Sequence, residues 1–134
     1  MEKIMEIEVA LTGSQTVEGQ AYKICMLPFT GVARGRYFTG RTVGEGVDTQ
    51  KISKTGKVLL SARYLLEGTD YQGNSCRVFV ENNGCEENGT IICRPQIVTD
   101  SPVLKEWETA DLCARVEGAE NGVLVSIYRV NDEK

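Results

Sequence analysis

A chain of 134 residues, 41% hydrophobic and 25% charged, has the size and composition of one globular domain spanning residues 1–134, which excludes disordered and fibrous classes. Its net charge of −4 argues against bulk electrostatic binding to nucleic acid or to an anionic membrane. No apolar run approaches the roughly 20 residues of a membrane-spanning helix. The opening MEKIMEIEVAL places glutamates where an export signal needs an unbroken apolar core, so the expected location is cytoplasmic.

Residues 5–12 alternate Met5, Ile7, Val9 and Leu11 with Glu6, Glu8, Ala10 and Thr12, the pattern of a half-buried strand with one wet face. Gly13, Ser14 and Gln15 break it. Residues 21–29 form a second strand with both faces fairly apolar, and Pro28 near its end points to a sheet edge or a bulge. From residue 31 to 46 the chain carries Gly31, Gly35, Gly40, Gly44 and Gly46 among short β-type pieces. Glycines so placed mark the bends of a sheet curling into a small barrel. A phosphate-cradling loop needs a helix after it, and no helical pattern follows Gly46. The nearby Arg34, Arg36 and Arg41 read as solvated strand-edge charges rather than an anion site.

Residues 47–53 are a short strand closed by Lys54, Thr55 and Gly56. The central stretch follows, residues 58–68, VLLSARYLLEG. Its even positions (Val58, Leu60, Ala62, Tyr64, Leu66) are apolar, and its odd positions carry Ser61, Arg63 and Glu67. Alternation places Arg63 opposite the apolar face. Residues 76–82 form the next strand, followed by hairpin signals at Asn83, Gly84 and at Asn88, Gly89. A two-residue turn at Asn88 and Gly89 pairs Glu87 with Thr90 and Cys85 with Ile92, which leaves Cys93 on the other face and argues against a disulfide between Cys85 and Cys93. Residues 90–99 are extended and interrupted by Pro95. One short helix is expected at residues 103–108, with Asp100 or Ser101 as its cap and Pro102 in its first turn. Strands 110–118 and 123–130 close the chain through Asn121 and Gly122, pairing Val116 with Ile127 and Arg115 with Tyr128.

About nine or ten short strands with turn signals about every 8–12 residues define an all-β chain. The glycine string and the scarcity of helix favour one small antiparallel β-barrel, of about eight to ten strands with at most one short helix, over a sandwich. The five cysteines (Cys25, Cys76, Cys85, Cys93, Cys113) contain no CxxC pair and histidine is absent, so neither a metal site nor another cofactor is expected. The cysteines read as small, buried or half-buried apolar residues in a reducing compartment.

The middle of the chain, residues 31–84, resembles the lipocalin-like (calycin-like) β-barrel family catalogued as domain of unknown function number three-two-three-seven. The residues that carry the resemblance are 35–38 with Gly40, then Gly44, Gly46, Asp48 and Gln50, then Ala62, Arg63 and Tyr64, then Phe79, Val80, Asn82 and Gly84. Thr99, Trp107, Leu112 and the closing Ile127, Tyr128, Arg129 and Val130 fit the family's ending. The resemblance implies a single barrel and says little about activity. Two positions depart from the family's usual residues: Thr49, where an aromatic is usual, and Glu81, where an arginine is usual. If they line the pocket, the ligand preference differs from the family's.

The polar residues in the matched segments are Asp48, Gln50, Arg63 and Asn82. A buried arginine needs a carboxylate or a polar ligand for its donors, and Asp48 can supply one, with Gln50 and Asn82 completing the hydrogen bonds. Alternation alone favours these four as surface or strand-end residues that tie the sheet together; with the resemblance added, the leading expectation is a small-molecule-binding barrel. Its pocket is partly apolar, Arg63 points into the lumen beside Asp48 and faces a polar or anionic group, and Trp107 caps one end. A second reading is a cofactor-independent isomerase or lyase with Asp48 as base and Arg63 stabilising an oxyanion. A third is an oligomeric structural or partner-binding module. A homo-oligomer follows if the face of Arg63 turns inward and the apolar even face packs on a second subunit.

Overall fold

The computed structural model describes residues 1–87 and 89–130. Ten strands are formed: β1 (Glu2–Leu11), β2 (Gln15–Glu18), β3 (Tyr22–Arg34), β4 (Phe38–Thr42), β5 (Gly46–Ser53), β6 (Val58–Asp70), β7 (Ser75–Glu87), β8 (Thr90–Thr99), β9 (Leu112–Ala119) and β10 (Gly122–Arg129). All pair antiparallel. The sheet runs β1-β10-β9-β8-β7-β6-β4-β3, and β3 returns to β1, which closes the barrel. β5 continues the place of β4 between β3 and β6, so the two short strands act as one interrupted stave. β2 lies outside this circuit, paired only with the start of β3.

The interruption between β4 and β5 has a steric origin. Gly44 takes φ +66°, which a side chain rarely adopts, and a Cβ on Gly46 would sit 2.6 Å from Cβ of Tyr64 and 2.7 Å from the Phe29 ring. The bend therefore lets two aromatic rings fill the barrel where the stave turns. Pro28 is accommodated within β3 rather than at its end. β2 pairs with β3 as far as Met26, β1 takes over from Phe29, and the Pro28 carbonyl accepts from Thr12 N at 2.8 Å in the gap. The missing N–H of the proline falls where β3 changes partners. β3 also runs on through Gly31 to Arg34, where bends were expected.

The β9–β10 hairpin differs from expectation by two residues in pairing. Val116 faces Val125, Arg115 faces Ser126, and Ala119 faces Gly122, so the turn is Glu120 and Asn121. A Cβ on Gly122 would lie 1.9 Å from the Val9 carbonyl. That glycine serves the close approach of β1 rather than the turn, and the faces are preserved because the shift is even. In the β7–β8 hairpin, Glu87 pairs with Thr90 and Cys85 with Ile92, as the alternation required; Asn88 of the expected turn lies outside the described residues. No disulfide forms among the described residues, and Cys76 and Cys93 are buried.

One end of the barrel is closed and filled. Ile4, Phe38, Leu66, Val78 and Ile127 are at most 1% exposed there, and the segment between β8 and β9 folds across the opening with Leu104 and Trp107 buried. The expected helix is one 3₁₀ turn, Lys105–Glu108, preceded by Leu104 without a side-chain cap. Ser101 caps nothing; its hydroxyl accepts from Val103 N at 3.3 Å and donates to Asp70 at 2.7 Å. No described helix is long and apolar enough to cross a membrane.

Candidate functional site

The opposite half of the barrel is open and holds a cavity of about 240 Å³. Its wall comes from the inward-facing positions of β1, β3, β5–β8, β9 and β10, so strand alternation selects every lining side chain. Most are aliphatic, with the Phe29 and Tyr64 rings at the inner end. Those rings meet edge to face, centroids 5.4 Å apart, beneath the cavity.

The polar groups are concentrated on three adjacent staves. Asp48 on β5 is opposite Ala62 on β6, which is opposite Asn82 on β7. With about 4.8 Å between strands, the Asp48 and Asn82 backbones are roughly 10 Å apart, separated only by a methyl group. Gln50, one inward position nearer the open end, donates Nε2–H to Asp48 Oδ2 at 3.3 Å. Burial pushes the Asp48 carboxyl above its ordinary range, and the Gln50 hydrogen bond opposes this only in part. Asn82 is 6% exposed, and its Oδ1 has no hydrogen-bond partner. Tyr64 is 4% exposed with its hydroxyl also unpartnered, and burial, with a smaller push from Cys93, raises that hydroxyl well above the usual phenol range. Unpartnered buried polar atoms are rare in folded chains, and here two occur in the wall of one cavity.

Three of the five expected site residues, Asp48, Gln50 and Asn82, line this cavity together. Arg63 does not. It points away from the lumen, pairs with Glu81 through Nη2 to Oε2 at 3.1 Å, and its side chain is 67% exposed. The reason is strand parity: Ala62 and Tyr64 face inward, so the residue between them faces out. Thr49 and Glu81 share that outer face by the same alternation, so the two departures from the family pattern leave the cavity wall unchanged. Because the even face of β6 is the lumen wall, it needs no second subunit to cover it. Trp107 lies at the closed end, its ring 6.2 Å from that of Tyr37, and contributes nothing to the cavity wall.

The wall also carries Phe29, Tyr64, Glu86 and Cys93, which were not among the expected ligand-binding residues. Tyr64 was legible in the even-position pattern of β6 once that face is taken as the lumen. Cys93 depends on the β7–β8 register, which places it opposite Gly84. Burial, the nearby Asp48 carboxylate and Cys85 all push the Cys93 thiol up, with an Asn82 hydrogen bond acting against them, so it is a poor nucleophile. Among the described residues no group of three or more His, Cys, Asp or Glu side chains is arranged to hold a metal ion.

No family model matches the sequence, and no curated protein matches it. Solved structures do match in shape. A protein of unknown function from Clostridium acetobutylicum superposes with a TM-score of 0.83 at 21% identity, covering 97% of this chain and 98% of that one. A conserved protein of unknown function from Rhodopseudomonas palustris gives 0.82 at 17% identity, covering 97% and 96%. A β-barrel-like protein from Acinetobacter baumannii gives 0.77 at 17%, covering 97% and 94%. At such identities the likeness establishes the fold alone.

Proposed function

We propose that this barrel binds a small, partly apolar molecule in the open half of its lumen. The reading rests on one contrast: the closed half is filled with side chains, whereas the open half keeps about 240 Å³ unfilled. Protein interiors close-pack, so an unfilled lumen with a few convergent polar groups is the usual form of a ligand site. A cavity of 150 Å³ admits benzene, so this one suits a molecule of about ten non-hydrogen atoms. The order and spacing of the glycines, Asp48, Gln50, Asn82 and Trp107 further support membership of the lipocalin-like family described above.

Native mass spectrometry of the purified chain tests the reading. A retained small molecule is expected, and Ala62→Leu, which extends a side chain between Asp48 and Asn82, should release it while the barrel stays folded. Equal retention in wild type and Ala62→Leu, or no retained molecule together with no small-molecule response at lumen amides in NMR, sinks it.

The raised Asp48 carboxyl also supports a second reading, cofactor-free proton transfer, with Asp48 as base. With Arg63 outside, the Tyr64 hydroxyl and the Asn82 and Gln50 amide N–H groups are the donors that the wall holds for a developing oxyanion. Deuterium incorporation from D₂O into the retained molecule, lost in Asp48→Asn, separates this from simple binding.

A further inference from the structure

The lumen is acidic. Asp48 lies inside it and the exposed Glu86 at its rim, and among the described residues no Lys or Arg lines it. Its acceptors are also under-supplied. Asp48 receives one long hydrogen bond, from Gln50 at 3.3 Å, and Asn82 Oδ1 receives none although the residue is 94% buried by its 6% exposure. The two flank Ala62 on one row of the wall, with only its methyl group between them. The aromatic rings of Phe29 and Tyr64 lie just beneath.

Resting on the reading of this lumen as a ligand site, we propose that its ligand is a compact primary amine, held as the ammonium ion between Asp48 and Asn82 with its apolar body along the aliphatic wall. An ammonium carries three donors and no acceptor, which matches a wall rich in unfilled acceptors. It offsets the Asp48 charge, which burial in the lumen already disfavours. An anion would meet two carboxylates and, among the described residues, no cation. A neutral alcohol would supply one donor and leave the carboxylate charge uncompensated.

The test titrates the full chain with phenethylamine, phenethyl alcohol and hydrocinnamate at neutral pH, following Ala62 and Asn82 amide resonances. The amine should bind about tenfold more tightly than the alcohol, the ratio expected for a charge-assisted hydrogen bond over a neutral one, and the carboxylate should not bind. Asp48→Asn should erase the amine's advantage over the alcohol, with melting temperature confirming that the variant is folded. Glu86→Gln at the rim should reduce the amine's affinity by less. Alcohol or carboxylate binding as tightly as the amine overturns the amine proposal and leaves lumen binding intact. An amine preference that survives Asp48→Asn also overturns it, as does silence from all three probes. Lumen binding itself is then decided by the retained-molecule experiment, which uses none of these probes.

Discussion

Two aspartates at opposite ends of the same barrel separate structure from site. Asp70 ends β6 at the closed end and is saturated. Its Oδ1 accepts from Gln72 N and Asn74 N, both at 3.0 Å, and its Oδ2 accepts from Asn74 Nδ2 at 3.1 Å and the Ser101 hydroxyl at 2.7 Å. Asp48, in the open half, has one donor at 3.3 Å. Burial pushes both carboxyls up; at Asp70 the hydrogen bonds outweigh it and the net shift is downward, while at Asp48 burial wins. A carboxylate whose valences are filled by its own chain holds the fold together. One left short of donors beside an unfilled volume is where a ligand has something to gain.

The largest effect that this contrast predicts is at the closed end. Trp107→Ala removes a side chain 2% exposed and should cost about 3–5 kcal/mol in denaturant unfolding, with small-molecule binding in the remaining folded protein unchanged. A loss of binding in that variant at full folding would mean that the two ends are coupled. Next comes Asp70→Asn, which breaks the clasp onto Ser101 and should lower the melting temperature clearly. Because the Asp70 carboxyl is depressed in the folded state, its contribution is complete above the unfolded-state range near pH 4 and lost as pH falls through the folded value. The gap between wild type and Asp70→Asn should therefore narrow on acidification.

Asp48 behaves with the opposite sign. Its folded pKa is raised, so ionisation costs stability above that value, and the cost disappears below the unfolded-state value. Asp48→Asn should melt slightly above wild type at neutral pH, the two converging in acid. A variant less stable than wild type at neutral pH would show that Asp48 is satisfied after all, and would weaken the case for a ligand there. Thermal melts of both aspartate variants across the acid range provide the whole comparison in one experiment.

The fold was legible because it rests on short-range signals. Alternation in residues 5–12 and 58–68 and the glycine string act within a few residues, and a barrel closes so many short antiparallel strands without leaving exposed edges. The Asn-Gly signals at Asn83 and Asn121 misled, since Asn83 and Gly84 lie inside β7 and the β9–β10 turn is Glu120 and Asn121. The site was half legible. Asp48, Gln50 and Asn82 were singled out as polar residues of the segments that carry the family resemblance, and all three line the cavity. Trp107 was expected to cap one end; it is buried at the closed end and does not line the cavity, since the chain does not reveal which rim the segment after β8 crosses. Arg63 was misplaced when the family resemblance outweighed its parity. Tyr64, one residue further on, was the lumen residue, and its unpartnered hydroxyl is a property of packing that no sequence pattern carries.

Arg63 therefore gives the smallest and sharpest test. On the outer face, its pair with Glu81 is a surface ion pair, 67% exposed on the arginine side and 25% on the glutamate side. Such pairs contribute about 0–1 kcal/mol because water screens the charges and ordering two long side chains opposes the attraction. Arg63→Ala should change unfolding free energy by about 0.5 kcal/mol or less, more weakly still at high salt, and leave small-molecule affinity unaltered. The affinity is the discriminating measurement. A drop of tenfold or more would place the guanidinium in contact with the ligand, which strand parity forbids while Ala62 and Tyr64 both face the lumen, so that result would require a different facing of β6 and with it a different cavity wall.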